Sequence, residues 1–377
     1  MAKVGAVLGA VVLVLAAVAM LPSAAATSTT PAVTGNIEVG VGSEPYYTHW
    51  IPGDDSFSVS DYGASNVSFI GAQNQTLFRN VTVQSEPAGE ELLTPGGPAN
   101  TGNLLWVADR GSHNVSVINL TTYTVTHTIP VGTQPIGVTY DSLNDTVWVP
   151  NWGGTNITIL NATTYAHIRS LTVGTAPIFA LFDKDTNTMQ VTDWTTGDVR
   201  FIGASNYSTY ATITGLSDPS AITSSMGPGS YHESFVSEYA AGDVAVISHT
   251  THAIVATVTV GSDPYGDGWD NQTGEEFVAN SGSDTVSVIS AASNSVVATV
   301  TVGTHPFSAQ AYDPIDGLML VANYGSGNVS VISDETGGGA AAAAAAAVTG
   351  LLLIVIAVGI LAVVLTALVR LMGYRRD

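Results

Sequence analysis

The 377-residue sequence predicts an all-β fold, a seven-bladed β-propeller closed by an N-terminal strand. Three observations predict it. Four short β-like runs recur about every forty residues, the period of a propeller blade. Two landmarks keep a fixed spacing from copy to copy. The strand missing from the last copy stands alone near the start of the chain.

The stretch from Pro264 to Pro306 is the clearest copy. FVAN, TVSVIS and VVATVTV show the alternation and β-branched content of strands, separated by turn-forming Asn, Ser, Gly and Asp, and a weaker run follows the opening proline. The first landmark is a Gly-x-x-Pro turn, most often VGxxP, ending at Pro45, Pro87, Pro135, Pro177, Pro219, Pro264 and Pro306. The second is an acid or amide after a short hydrophobic strand: Asp61, Asp109, Asn151, Asp193, Glu238, Asn280 and Asn323. Prolines are spaced 42, 48, 42, 42, 45 and 42 residues apart, yet each of the first six acids or amides precedes the next proline by 26. All length variation is thus confined to the hairpin between strands one and two, which chance would not arrange. Seven blades follow, and none can bury both faces of its sheet unless they stack around an axis.

Taken in order, residues 1–26 read as a secretory signal, with Lys3, an apolar run to Leu21, and SAAA before Thr27. A retained anchor is the alternative. Residues 27–35 form a short leader. GNIEVGVGSEP then matches the end of a fourth strand plus its turn with no blade before it, so Asn36 to Val41 is expected to complete blade seven. The propeller spans 36–334. Residues 335–347 are a Gly/Ala tether, and 348–370 a transmembrane helix whose uncharged run Leu351–Val369 is long enough for the hydrocarbon core. Arginines follow it, which makes 371–377 a cytoplasmic tail on a single-pass anchor, with the propeller extracellular.

The strand-two motif FVAN, LVAN, WVAD, WVPN, QVTD, FVSE and SVSD resembles the YVTN-repeat β-propeller family over residues 36–334. The second copy departs in its opening strand after Pro87, and the fifth in GLSD before Pro219. The resemblance implies a seven-bladed propeller similar to archaeal surface-layer-associated proteins. Family members with redox or lyase activity exist, but no catalytic motif of theirs matches here.

Composition narrows the function. There is no cysteine, hence no disulfide, thiolate metal site or attached c-type haem. Formal charge is −21, and within residues 4–369 five basic residues face 29 acids, which repels nucleic acid. There is no HExxH, GxSxG, Walker loop or Rossmann fingerprint. HTTH (His249, His252) reads as a surface turn, and DKDTN (Asp183–Asn187) as a hairpin turn lacking the glycine and glutamate of a calcium loop.

The turns between strands two and three share a face with the VGxxP turns, and this face is expected to point away from the membrane. It carries the seven acids and amides and the residues after them: Tyr62, Arg110, Trp152, Trp194, Tyr239, Ser281 and Tyr324. The plain reading of the acids and amides is turn capping through a backbone N–H two residues on. The sharper one is a calcium or other divalent-cation site using Asp61, Asp109, Asp193 and Glu238; otherwise no cofactor is expected. The aromatics either pack between blades or offer stacking platforms for surface glycans or surface-layer proteins. Asn-x-Ser/Thr sequons give glycosylation candidates Asn74, Asn119, Asn144, Asn161, Asn206 and Asn271, with Asn80 among the loop set. Four more, at Asn66, Asn114, Asn156 and Asn328, share one repeat position where a turn asparagine is expected anyway.

The expectation is a non-catalytic, membrane-anchored surface propeller that displays a binding or lattice face. The rival is a lactonase- or lyase-like ectoenzyme with a divalent cation in its channel. A buried cluster of two or more acids with a histidine at one channel mouth would favour the rival, and a mouth lined by small residues with exposed aromatics further out would favour binding.

Overall fold

The computed structural model describes residues 30–93, 103–225 and 232–333. The expected signal, tether, transmembrane helix and tail lie outside them, as do residues 27–29 of the leader. Among the described residues no helix is long and apolar enough to cross a membrane.

The described chain folds into seven four-stranded antiparallel sheets, each running outward from an inner strand that begins at or just after a turn proline. The inner strands are Pro45–Ile51, Pro87–Leu93, Thr139–Asp141, Pro177–Asp183, Pro219–Ser224, Pro264–Asp270 and Pro306–Asp313. Strands two and three are buried on both faces because they lie between neighbouring blades, and their apolar side chains form the inter-blade clusters. Fourth strands are exposed edges. The opening strand of blade two, irregular in sequence, still pairs Glu90 with Val107 and Leu93 with Leu104.

The seventh sheet takes its outer strand from the other end of the chain, as expected. Ala32–Glu38 runs antiparallel to Asn328–Ser333, with Ile37 opposite Val329 and Asn36 opposite Ser330. The strand starts earlier and stops earlier than the sequence suggests. A register shift between Val33 and Gly35 lets three more residues join the ladder, while Val41 is fully exposed in the turn. Ile37 and Val39 are buried against Val329 and Val331 of blade seven and Phe57, Val59 and Ile70 of blade one. The closing strand therefore ties the last blade to the first.

Blades meet tightly near the axis. A Cβ built on Gly268 would lie 1.7 Å from the Ala309 carbonyl oxygen of the next blade, so only glycine fits there.

Candidate functional site: the two ends of the axial channel

The acids and amides of strand two are not on the surface. Asp61, Asp109, Asn151, Asp193, Asn280 and Asn323 have no exposed area, and Glu238 has 8%. Asp193 caps its own turn, accepting the Thr196 N–H three residues on (3.0 Å), but turn capping is not their common role. Most bond a hydroxyl seven residues on, in strand three: Ser68 donates to Asp61 (2.5 Å), Ser116 to Asp109 (2.7 Å), and Asn151, Asn280 and Asn323 donate to Thr158, Ser287 and Ser330. In blades four to six they also hold the incoming Gly-x-x-Pro turn. Thr175 N–H donates to Asp193, Ser217 N–H to Glu238 and Gly261 N–H to Asn280. They fasten each blade's own entry turn to its strand-two hairpin. Burial pushes the Asp61 carboxyl up to about 8 and Asp109 up to about 7, against the opposing serine bonds. As buried residues of four different blades, Asp61, Asp109, Asp193 and Glu238 do not converge on one cation. Among the described residues, the group of three acid or histidine side chains within 4.8 Å of one another is Asp55, Asp313 and Asp316.

The residues after the acids and amides do come together. Tyr62, Arg110, Trp152, Trp194 and Tyr324 line one mouth of the channel, around a cavity of about 280 Å³. Its inner wall was missed by sequence reasoning. It is made by the residue after the turn proline, including Tyr46, Ile136, Ile178, Tyr265 and Phe307. Those side chains vary too much to make a motif, but their position at the start of the innermost strand was a usable signal. Tyr239 stands beside Trp194, with ring centroids 5.0 Å apart, and Ser281 is buried. Phe307 lies 4.9 Å from both Tyr265 and Tyr324, while Tyr46 stacks on Tyr62 at 5.5 Å. The hydroxyls of Tyr46 and Tyr265 bond to each other, joining blades one and six.

Arg110 is the only cation at this mouth among the described residues. Its guanidinium lies 4.7 Å from the Trp152 ring and 5.8 Å from that of Tyr62, and donates to the Tyr62 hydroxyl at 2.7 Å. Its Nε and the Nε1 of Trp152 are buried donors without an acceptor. Acids occupy the rim. Tyr62 donates to Glu86 (2.8 Å) and Tyr324 to Glu44 (3.0 Å), from residues held at φ of 56° and 47° just before the turn prolines.

The opposite mouth is different in chemistry. Tyr47 and Phe179 stack across the axis at 6.4 Å. Both line a second cavity of about 460 Å³, with His49, Glu91, Tyr140, Lys184, Thr223, Asp267, Trp269 and Gln310. Burial holds His49 down to about 4, so it is neutral, and pushes Glu91 up to about 8 against the Tyr140 backbone bond. Asp267 shares its inner-strand column with Thr48, Glu90, Val138, Ala180, Ile222 and Ala309, while His49 and Glu91 share theirs with Thr139, Leu181, Thr223, Gly268 and Gln310.

One sequence reading on this side needs revision. HTTH is the expected turn, holding both His249 and His252, but the His249 side chain is not on the surface: it is buried between blades four and five, with Nδ1 3.1 Å from Asp183 and Nε2 2.6 Å from the Ser234 hydroxyl. Burial opposes charge on Asp183, yet the His249 contact, the Thr186 hydroxyl and the Asp185 N–H hold it well below the ordinary carboxylate range. DKDTN is the hairpin turn expected, with Asp183 accepting the N–H of Asp185 at 2.9 Å. Among the sequons, Asn74, Asn119, Asn161 and Asn206 accept backbone N–H groups through Oδ1, which leaves Nδ2 open to modification. Asn144 instead donates Nδ2 to Asp141 and Asn187, so a glycan there would break both bonds.

No family model matches the chain, and no curated protein matches it. Solved structures do. Hydrazine synthase of Kuenenia stuttgartiensis aligns with a TM-score of 0.68 at 19% identity, over 80% of this chain and 98% of that one. Streptogramin B lyase aligns with a TM-score of 0.65 at 16% identity, over 79% and 96%. At such identities the likeness establishes the seven-bladed propeller fold, and the chemistry must be argued from the site.

Proposed function

We propose that the protein is a non-catalytic binding propeller of YVTN type, similar to archaeal surface-layer-associated proteins and held on a cell membrane by residues 348–370. Its ligand is a surface glycan, taken at the aromatic mouth. One observation carries this reading: Tyr46, Tyr62, Trp152, Trp194, Tyr265, Phe307 and Tyr324 converge on a single open cavity. Sugar rings stack on such faces through their C–H groups, and the unpartnered Arg110 Nε and Trp152 Nε1 are donors for ring hydroxyls. The sequence reading placed the platforms around the rim. Here they close in on the axis, so the ligand enters end-on, as the tip of a chain.

A glycan-binding screen of the purified protein tests this. Trp194→Ala and Trp152→Ala each lose binding by roughly tenfold or more, with circular dichroism and melting temperature close to wild type. Undiminished binding by both folded variants would rule the mouth out.

One observation favours catalysis instead, as a lactonase- or lyase-like ectoenzyme with a channel cation. His49 and the carboxyls of Glu91 and Asp267 line the same cavity, and the two structural neighbours are named as enzymes. Metal analysis separates the readings. A divalent ion retained at one per chain, and lost in His49→Ala, supports the enzyme.

A further inference from the structure

The second cavity carries polar groups that the glycan reading of the aromatic mouth leaves unused. Two carboxyls of blade six stand at its wall. Asp267, on the inner strand, lines it; Glu276, on the next strand, lies diagonally behind on the same sheet face. Both are fully buried. Ser237 donates to Oδ1 of Asp267 and Thr223 to Oε1 of Glu276, while Oδ2 of the first and Oε2 of the second have no hydrogen-bond partner. Trp269, two residues from Asp267, also lines the cavity, and its Nε1 is a buried donor without an acceptor. Unsatisfied buried groups of this kind cost stability unless something pairs with them.

Opposite signs of demand in one place describe the missing partner. Once a proton leaves, the carboxyl oxygens call for a positively charged donor, and the indole N–H calls for an oxygen. Tyr47, Phe179 and Ile222 supply apolar wall for a short carbon linker. A bare metal ion fits less well. His49, Glu91, Asp267 and Glu276 do not bring three ligating atoms within 4.8 Å of one another, whereas an organic cation can span the cavity.

We propose that this cavity binds a small protonated amino alcohol, its ammonium on Asp267 and its hydroxyl on Trp269 Nε1. The other groups facing the cavity set its pH response. They are Tyr47 and His49 from blade one, Glu91 from blade two, Tyr140 from blade three and Lys184 from blade four, with Glu276 behind Asp267. Burial keeps the Asp267 carboxyl well above its ordinary range, and burial with the nearby Asp267 does the same for Glu276. An arriving cation therefore displaces a proton, and affinity climbs with pH until the amine loses its own proton.

Titration calorimetry of the purified protein with ethanolamine, ethylammonium and Mg²⁺, at pH 6.5 and 8.5, tests the proposal. Ethanolamine is expected to bind several-fold tighter at pH 8.5, with proton release, and ethylammonium more weakly. Asp267→Asn is expected to cost roughly tenfold or more, the loss of one charge-assisted bond. Should that variant unfold, Glu91→Gln, which removes the facing carboxylate, is expected to weaken binding as well. Absence of ethanolamine binding overturns the proposal. So does wild-type affinity in the folded variant, or binding of Mg²⁺ alone.

Discussion

The protein is expected to unfold at a higher temperature at pH 5 than at pH 8, by roughly 5 °C or more. The cause is the set of carboxyls that folding removes from water. Asp61 is pushed up to about 8, Glu91 to about 8, and Glu90 and Asp109 to about 7, each mainly by burial. In the unfolded chain these groups lose their protons near pH 4. Between there and pH 7–8 the native state holds protons that the unfolded state has released, so stability falls as pH rises through that window. His49 acts the other way. Held down to about 4, it costs stability as pH falls below its unfolded value near 6.5. One histidine opposes four acids, so the net slope from pH 5 to pH 8 stays downward. Replacing Glu90 with Gln and Asp109 with Asn, whose serine partners remain, is expected to flatten the slope in thermal melts taken across pH. A melting temperature that rises from pH 5 to pH 8 would contradict the burial of these groups.

Deleting residues 27–41 produces the largest loss of stability available outside the inter-blade core. The deletion removes Ile37 and Val39 from their cluster and leaves Asn328–Ser333 as an unpaired strand edge. At about 1.5–3 kcal/mol per buried aliphatic side chain, the two alone amount to about 5 kcal/mol. Lost ladder bonds add to this. The melting temperature is expected to drop by roughly 10 °C or more, and the exposed edge to promote association of the truncated protein. Calorimetry and sizing chromatography measure both. An unchanged melting temperature would mean that the ring does not depend on its closing strand.

The wheel was legible in the sequence because the same constraint is imposed seven times. From each of the first six acids or amides to the next proline the chain keeps one length through strands three and four and the inter-blade turn, while the hairpin between strands one and two varies. The missing strand was legible for the same reason. Its exact ends were not, because the bulge at Val33–Gly35 leaves no compositional mark. The sites were half legible. Tyr62, Trp152, Trp194 and Tyr324 were in view, but their convergence on the axis depends on ring curvature, a property of seven blades together. The same regularity misled the reading of the acids and amides, since a repeated polar residue marks a repeated structural bond as readily as a surface. Contacts such as Asp183–His249–Ser234 join residues of neighbouring blades far apart in sequence, and no local pattern announces them. Acids in the innermost strands, as at Glu91 and Asp267, were the one signal that could have marked the second cavity.

Both cavities are built from inner strands contributed by several blades around the axis, so each depends on the ring being closed as described. The absence of native cysteine allows a direct test. Ile37 and Val329 face each other across the closing ladder. The double variant Ile37→Cys, Val329→Cys should form an intramolecular disulfide under mild oxidation, seen as a cross-linked peptide pair by mass spectrometry, and should melt higher oxidised than reduced. Two free thiols, or disulfides only between molecules, would contradict the closed seven-bladed wheel.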